Sequence, residues 1–139
     1  MRAVFADAGY WIGMLFRRDQ LHERALALTA RLDPFDIVTT QMIVVEVFNH
    51  ASRIGLVDRE VVVDWLRDLE RNDRVEIVPQ TPQQFHAAAE RFAARADQSW
   101  SLTDCASFLV MEERGITEAL AYDRDFEQAG FTALLRESD

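Results

Sequence analysis

The chain has 139 residues, a length typical of one domain, and 49% of them are hydrophobic, as in ordinary globular proteins. Its net charge of −9 argues against a broad basic surface for phosphate backbones, and all 15 residues counted as Lys or Arg are arginine. One cysteine excludes an internal disulfide, and no apolar run reaches the ~20 residues of a membrane span. We therefore expect a cytoplasmic protein without a signal peptide.

The first half of the chain alternates short apolar runs with helical patterns. AVFAD is typical of a buried strand ending at Asp7, and GYWIGMLFRRD of a short helix or loop. Residues 21–32 are apolar at helical spacing, and DPFDIVTT supplies a turn and a second strand. Two further helices are predicted, one over 41–54 and one over 58–69 with Asp58 as its cap.

The second half repeats the alternation with clearer start and stop signals. RVEIVP predicts a third strand, and Thr81, followed by proline and then Gln84, predicts a capping box that opens a helix. SWSLTDCASFLVMEERG predicts the next helix, which stops at Gly115. EALAY and FTALL predict two more strands, with one helical turn between them that stops at Gly130. Alternating strands and helices predict an α/β fold with a parallel sheet covered on both faces.

Four acidic residues fall near one edge of this predicted sheet. Ligands of open parallel sheets bind beyond the carboxyl ends of the strands. Asp7 ends the first strand, and Asp123 follows the fourth. Asp104 lies at the start of the helix that leads to the fourth strand, and Glu46 lies one to two turns into the helix after the second. These four acids could therefore converge, with Asp125 as a fifth candidate.

Each of these acids also has a purely structural interpretation. Asp7 and Asp123 are suitable N-caps for the turns that follow them, and Ser101 with Asp104 resembles a capping box. Glu46 belongs to the polar stripe of an amphipathic helix. No single position decides between the two interpretations, but the shared location at one edge of the sheet favours a joint site.

A cluster of carboxylates has chemical consequences. Neighbouring carboxylates repel one another and cannot all stay ionised without a countercharge. The chain has no lysine to provide one, and although an arginine could, hard oxygen ligands suit Mg²⁺ or Mn²⁺ better. The spacing of the three histidines and one cysteine argues against zinc. Magnesium held by carboxylates serves phosphoryl transfer, which makes a nucleic-acid phosphodiester a candidate substrate.

Four segments resemble the motifs of PIN-domain ribonucleases, most closely the VapC-type toxins of prokaryotic toxin–antitoxin pairs: VFADAGYWIGML, VVEVFNH, SLTDCASFLVMEERGI and ALAYDRDFEQAGF. The resemblance covers essentially the whole chain, residues 1–139, as a single nuclease domain. It implies an α/β/α sandwich with a central parallel sheet of about five strands. It also implies a hydrolase that cuts RNA with Mg²⁺ or Mn²⁺.

The resemblance gives catalytic and metal-binding roles to four residues: Asp7, Glu46, Asp104 and Asp123. Asp7 and Asp104 would be the core ligands. Thr103 stands where the family often has a small or hydroxylic residue that orients the site, and Asp125 is a further accessory candidate. Ala8 departs from the family pattern, in which a hydroxyl commonly follows the first acid.

The resemblance also implies protein partners, namely a small antitoxin and a second copy of the chain in a homodimer. Helices in the first half would form the dimer. The helix that carries Val61, Val62, Val63 and Trp65 is apolar on more than one side, which would suit an interface, although a helix buried within the monomer would look the same. An antitoxin would cover the acidic pocket. A catalytically inactive PIN-like domain that binds RNA or a partner is the main alternative. A dehalogenase-like phosphatase would need a second Asp at Gly9, and the chain lacks P-loop and GxGxxG motifs.

RNA would also have to approach an acidic pocket. Five arginines are candidates for a basic rim around it: Arg17, Arg18, Arg53, Arg91 and Arg95. Trp11 and Trp100 flank the first and third motifs and are candidates for base stacking. Solvated surface for the arginines and core packing for the tryptophans are the alternatives.

Overall fold

A computed structural model describes residues 2–32 and 34–136 of the chain. Its centre is a sheet of five strands, all paired in parallel. The strands are β1 (Arg2–Ala6), β2 (Phe35–Thr40), β3 (Val75–Val78), β4 (Glu118–Leu120) and β5 (Thr132–Ala133). Their spatial order is β3-β2-β1-β4-β5. This confirms the predicted parallel sheet, although Asp33 of the predicted turn before β2 lies outside the described residues.

Seven helices connect and cover the strands in the described part of the chain. They are α1 (Ala8–Leu15), α2 (His22–Arg31), α3 (Gln41–Ser52), α4 (Leu56–Arg71), α5 (Pro82–Ala94), α6 (Leu102–Arg114) and α7 (Arg124–Gln128). A short 3₁₀ helix, Leu134–Arg136, follows β5. Right-handed crossovers place α1–α4 on one face of the sheet and α5–α7 on the other, because the strand order reverses after β3. No helix of these described ranges is both long and apolar enough to cross a membrane.

Local sequence signals account for several of the helix ends. Thr81 and Ser101 each head a complete capping box, at the starts of α5 and α6. Gly115 ends α6 with φ at 65°, a left-handed conformation that glycine adopts without strain. The predicted N-cap of α4, Asp58, is wrong by three residues. Gly55 is its N-cap, and Asp58 lies inside the first turn, where its charge favours the positive end of the helix dipole.

Aromatic contacts fill the core on both faces of the sheet. On the α1–α4 face the Trp11 and Trp65 rings lie 5.5 Å apart between centroids. On the other face Phe108 is fully buried and contacts the rings of three residues: Trp100, Phe126 and Phe131. The Phe108 side chain is entirely apolar, so its contribution to stability is hydrophobic and depends on close packing.

We expect Phe108→Ala to lower the free energy of unfolding by about 3–5 kcal/mol, because it removes buried surface and leaves a cavity among three rings. Chemical denaturation followed by circular dichroism measures this loss. Phe92→Ala is the control, since Phe92 is 53% exposed and its truncation should cost less than about 1 kcal/mol. Equal losses in the two variants would contradict the assignment of Phe108 to the core.

Candidate active site

The reversal of strand order creates a crevice between β1 and β4. These strands are neighbours in the sheet, with Ala6 in register with Leu120, although they are far apart in sequence. The chain leaves β1 toward one side of the sheet and leaves β4 toward the other. Such a switch point is where α/β sheets bind ligands. Asp7 directly follows β1, its N–H donating to the carbonyl of Leu120 at 3.1 Å, and Asp123 follows β4.

Two helices bring further acidic residues to the same crevice. Glu46 lies in the second turn of α3, and Asp104 is in the first turn of α6. The resulting cavity has a volume of about 410 Å³. Its lining includes all the acids that the sequence singled out: Asp7, Glu46, Asp104, Asp123 and Asp125. The structure therefore brings together five carboxylates from four separate segments, while their catalytic roles stay predictions.

Asp7 is the most deeply placed of these acids, with only 7% of its surface exposed. It occupies the N-cap position of α1, but its side chain makes no capping hydrogen bond. Burial raises its pKa from the usual 3.8 to about 8, a hydrogen bond from the Ala8 amide opposes the rise, and repulsion from Asp104, Glu46 and Asp123 adds to it. The backbone of Ala8 thus makes a contact with Asp7 although the hydroxyl typical of the family is absent.

Asp104 serves its own helix as well as the cavity. Its backbone N–H donates to the Ser101 hydroxyl at 3.0 Å, and its Oδ2 accepts from the Ser101 N–H at 3.0 Å. Burial raises its pKa to about 6; the Ser101 amide opposes this rise, while the neighbouring carboxyl of Asp125 adds to it. The capping interpretation of Asp104 is therefore correct, and it coexists with a place in the acidic cavity.

Glu46 and Asp123 show the same electrostatic strain more mildly. Partial burial raises the pKa of Glu46, and Thr103 opposes this rise with a hydrogen bond to its carboxylate. Thr103 thus contacts an acid of the site, and its orienting role stays a prediction. Asp123 is more exposed, yet desolvation and the charge of Asp125 raise its pKa, whereas the Arg136 guanidinium lowers it. Asp123 is the N-cap residue of α7 and makes no side-chain capping bond.

The chemistry of these side chains suits a hard divalent cation. Four carboxyl groups have raised pKa values, so a cation that stabilised their ionised forms would bind favourably. Within residues 2–32 and 34–136, however, no three acidic, histidine or cysteine side chains already surround one ion position. The Asp104 carboxylate is turned toward Ser101, so ligation by several of these groups would require side chains to reorient.

None of the five arginines that the sequence suggested for a basic rim is among the described residues that line the acidic cavity. Arg91 forms an ion pair with Glu112 at 2.8 Å, and Arg95 forms one with Asp97 at 3.0 Å. The other three candidates are exposed: Arg17, Arg18 and Arg53. Surface ion pairs of this kind contribute little to stability, but they do offset the positive charge of both arginines.

Base stacking by the two tryptophans is excluded by their burial. Trp11 is 6% exposed and Trp100 is 5% exposed, so the core interpretation is correct for both. Sequence reasoning missed Tyr122, whose side chain is 39% exposed and lines the acidic cavity. It also missed Arg136, which lies far along the chain from the motifs but acts on Asp123. A signal for Tyr122 existed, because it immediately precedes Asp123 at the end of β4.

Comparisons with known proteins agree with this fold. The family model described as "PIN domain" matches residues 4–132. The 23S rRNA-specific endonuclease VapC20 of Mycobacterium tuberculosis, in two strains, is 30% identical over 128 residues, or 92% of this chain and 95% of the relative. A crystal structure of M. tuberculosis VapC20, described as a sarcin–ricin loop cleaving toxin, is similar with a TM-score of 0.82 at 25% identity. That match covers 94% of this chain and 97% of the other.

The raised pKa of Asp7 predicts how stability depends on pH when no metal is present. Between the unfolded pKa of 3.8 and the folded pKa of about 8, the unfolded chain has released this proton and the folded protein still binds it. The contribution of Asp7 to stability is therefore greatest below pH ~4 and falls as the pH rises toward about 8. Asp7→Asn cannot ionise, so the variant should lack this fall.

Thermal melts in EDTA at about pH 5 and about pH 8 measure this difference. Asp7→Asn should gain about 1–3 kcal/mol relative to wild type at the higher pH and less at the lower one. Asp73→Asn is the matched control. Asp73 is exposed in the turn before β3, at the amino ends of the strands, whereas the acidic cavity lies at their carboxyl ends. A gain that is the same at both pH values would show that Asp7 is ionised throughout.

Proposed function

This chain belongs to the PIN domain family, and from that membership we propose that it is a metal-dependent endoribonuclease, the toxin of a toxin–antitoxin pair. Residues 1–139 would form a single nuclease domain. The observation that carries the proposal is the convergence of the four acids in one cavity at the switch point of the sheet. The alternative, an inactive domain that binds RNA or a partner, does not explain why four acids from separate segments line one cavity, two of them at N-cap positions without capping bonds.

We propose that Asp7, Glu46, Asp104 and Asp123 bind Mg²⁺ or Mn²⁺, with Asp7 and Asp104 as the core ligands. An ion of this kind activates a water molecule and stabilises charge on the attacking and leaving oxygens of a phosphodiester. The protein's part is to hold the carboxylates in place. The Ala8 amide contacts Asp7, and Thr103 contacts Glu46. The low exposure of Asp7 also limits the water that competes with it for the ion.

The relatives suggest where to look for the substrate. VapC20 is a 23S rRNA-specific endonuclease, and its structure is that of a sarcin–ricin loop cleaving toxin. We therefore propose structured RNA as the substrate class of this chain and ribosomal RNA as the first substrate to test. Cleavage of ribosomal RNA would place the protein in the cytoplasm.

Two protein partners follow from the same family assignment. We propose that a small antitoxin binds over the acidic cavity and inserts an arginine among the carboxylates, replacing the metal as countercharge. We also propose a homodimer that uses the outer face of α4. Val62 and Trp65 are buried within the monomer, whereas Val61 and Val63 are 36% and 37% exposed, so α4 has an apolar surface outside its own core.

Asp104→Asn tests the catalytic role against the capping role. An asparagine oxygen can still accept from the Ser101 N–H, so the helix cap and the fold should survive. Loss of the charge should lower cleavage of ribosomal RNA with Mg²⁺ or Mn²⁺ by at least about 100-fold if the carboxylate ligates the ion. Asp73→Asn is the control and should cleave like wild type. A folded Asp104→Asn protein with wild-type cleavage rates would return Asp104 to a capping role alone.

Metal binding should also be visible without any substrate. A cation that binds only the folded protein stabilises it by about 2.7 kcal/mol when its concentration is 100 times the dissociation constant. Millimolar Mg²⁺ or Mn²⁺ should therefore raise the melting temperature of wild type at near-neutral pH. The rise should shrink in Asp7→Asn and persist in Asp73→Asn. No rise in wild type would be evidence against a carboxylate metal site.

A further inference from the structure

One side of the acidic cavity carries an aromatic ring with two guanidinium groups beside it. Tyr122 lies between the end of β4 and Asp123, and its partly exposed ring lines the cavity. The guanidinium carbon of Arg136 lies 4.9 Å from the ring centroid, and that of Arg24 lies 5.8 Å from it. Both distances are within the range of a cation–π contact. We call these three residues the Tyr122 cluster.

Backbone hydrogen bonds hold both arginines of the Tyr122 cluster in place. Arg136 Nη1 donates to the carbonyl of Tyr122 at 2.9 Å, and its Nε lies 3.2 Å from Glu127. Arg24 Nη1 reaches from α2 to the carbonyl of Leu135 at 2.6 Å. Each of these contacts uses a few of the five N–H donors of a guanidinium, so other donors remain for a ligand.

The positive charge of this cluster acts on the site. Arg136 is the guanidinium that lowers the pKa of Asp123. Within the described residues, Arg24 contacts a carbonyl and an aromatic ring but has no carboxylate partner within ion-pair distance. Arg136, like Arg91 and Arg95, is also paired with an acid, so the uncompensated charge of the cluster is that of Arg24. The Tyr122 cluster is thus a source of fixed positive charge beside a cavity lined by five carboxylates.

A polyanionic substrate needs such a source. A divalent ion can offset the carboxylates around the phosphate that is cut, but the neighbouring phosphates still meet a chain of net charge −9. Guanidinium groups match phosphate oxygens in geometry as well as in charge. An exposed tyrosine ring beside them offers a flat surface to a ribose or a base.

We propose that Arg24, Tyr122 and Arg136 form a subsite for the nucleotide next to the cleaved phosphodiester, in which the two arginines bind its phosphate and the Tyr122 ring packs against the nucleoside. This inference rests on the proposed ribonuclease function. A purely structural role is the competing explanation, because both arginines also fasten the 3₁₀ helix to its neighbours. The two explanations differ in what salt does to RNA binding.

Binding of a fluorescein-labelled RNA stem–loop to Asp104→Asn protein in Mg²⁺, measured by anisotropy over a series of salt concentrations, tests the proposal. Each phosphate contact adds roughly 0.7–0.9 to the slope of log affinity against log salt. Arg24→Gln should therefore reduce the slope by about that amount and weaken binding roughly 3–10-fold at ~0.1 M salt. Arg24→Lys should restore the wild-type salt slope. Tyr122→Leu should weaken RNA binding but leave the salt slope unchanged.

The control is Arg71→Gln, since Arg71 is exposed at the end of α4, toward the opposite edge of the sheet. It should leave both affinity and slope unchanged. In the cleavage-competent background, Arg24→Gln should raise KM with little change in kcat, as expected for lost substrate binding away from the reacting atoms. Melting curves accompany each variant. Arg136→Gln should repeat the Arg24→Gln result if its 3₁₀ helix stays folded.

The other outcomes overturn the proposal in distinguishable ways. If wild type cleaves RNA and Arg24→Gln binds RNA with the wild-type slope, the subsite is wrong and the nuclease assignment stands. If Arg24→Gln loses only the binding of a co-purified protein partner, the Tyr122 cluster is a protein interface. If wild type neither binds nor cleaves RNA, the proposed function fails, and the subsite fails with it.

Discussion

The free-energy cost of burying carboxylates close together, with repulsion among them adding to it, is the constraint on which the rest of this structure depends. A parallel sheet that reverses its strand order opens a crevice between β1 and β4, and the chain lines that crevice with acids from four segments. Close packing stabilises an apolar core, but around Asp7 it removes water from a carboxyl group and so makes its ionisation costly. The raised pKa of Asp7 is the result. Aromatic clusters on both faces of the sheet supply the compensating stability. The acidic cavity thus lowers the stability of the fold, and packing elsewhere in the fold offsets this loss.

The sequence predicted the elements of this fold better than their boundaries. Strands with continuous apolar runs, the capping boxes at Thr81 and Ser101, and the glycine stop at Gly115 are local signals, and the structure contains all of them. The start of α4 was misplaced because Asp58 is a good cap by composition, whereas the chain uses Gly55 and keeps the acid in the first turn. Strand order depends on long-range pairing, which no local pattern encodes.

The acids of the site could be predicted for the same topological reason that brings them together, since residues following parallel strands share one edge of a sheet. Their mutual geometry could not. The interaction of Asp125 with Asp104 requires α7 to approach α6, and the effect of Arg136 on Asp123 requires the last described turn to fold back beside β4. Contacts of this kind join segments that have no shared periodicity. They become visible only in three dimensions.

The double role of Asp104 has an evolutionary consequence. Because its side chain both caps α6 and faces the cavity, an amide in its place would keep the helix start intact while removing a charge from the site. Aspartate and asparagine codons differ by one base, so a single transition separates these two states. Under the catalytic role proposed for Asp104, a lineage would silence RNA cleavage in one step and retain a folded scaffold. Such an inactive descendant would differ from its ancestor by one base change and could then be selected for binding alone.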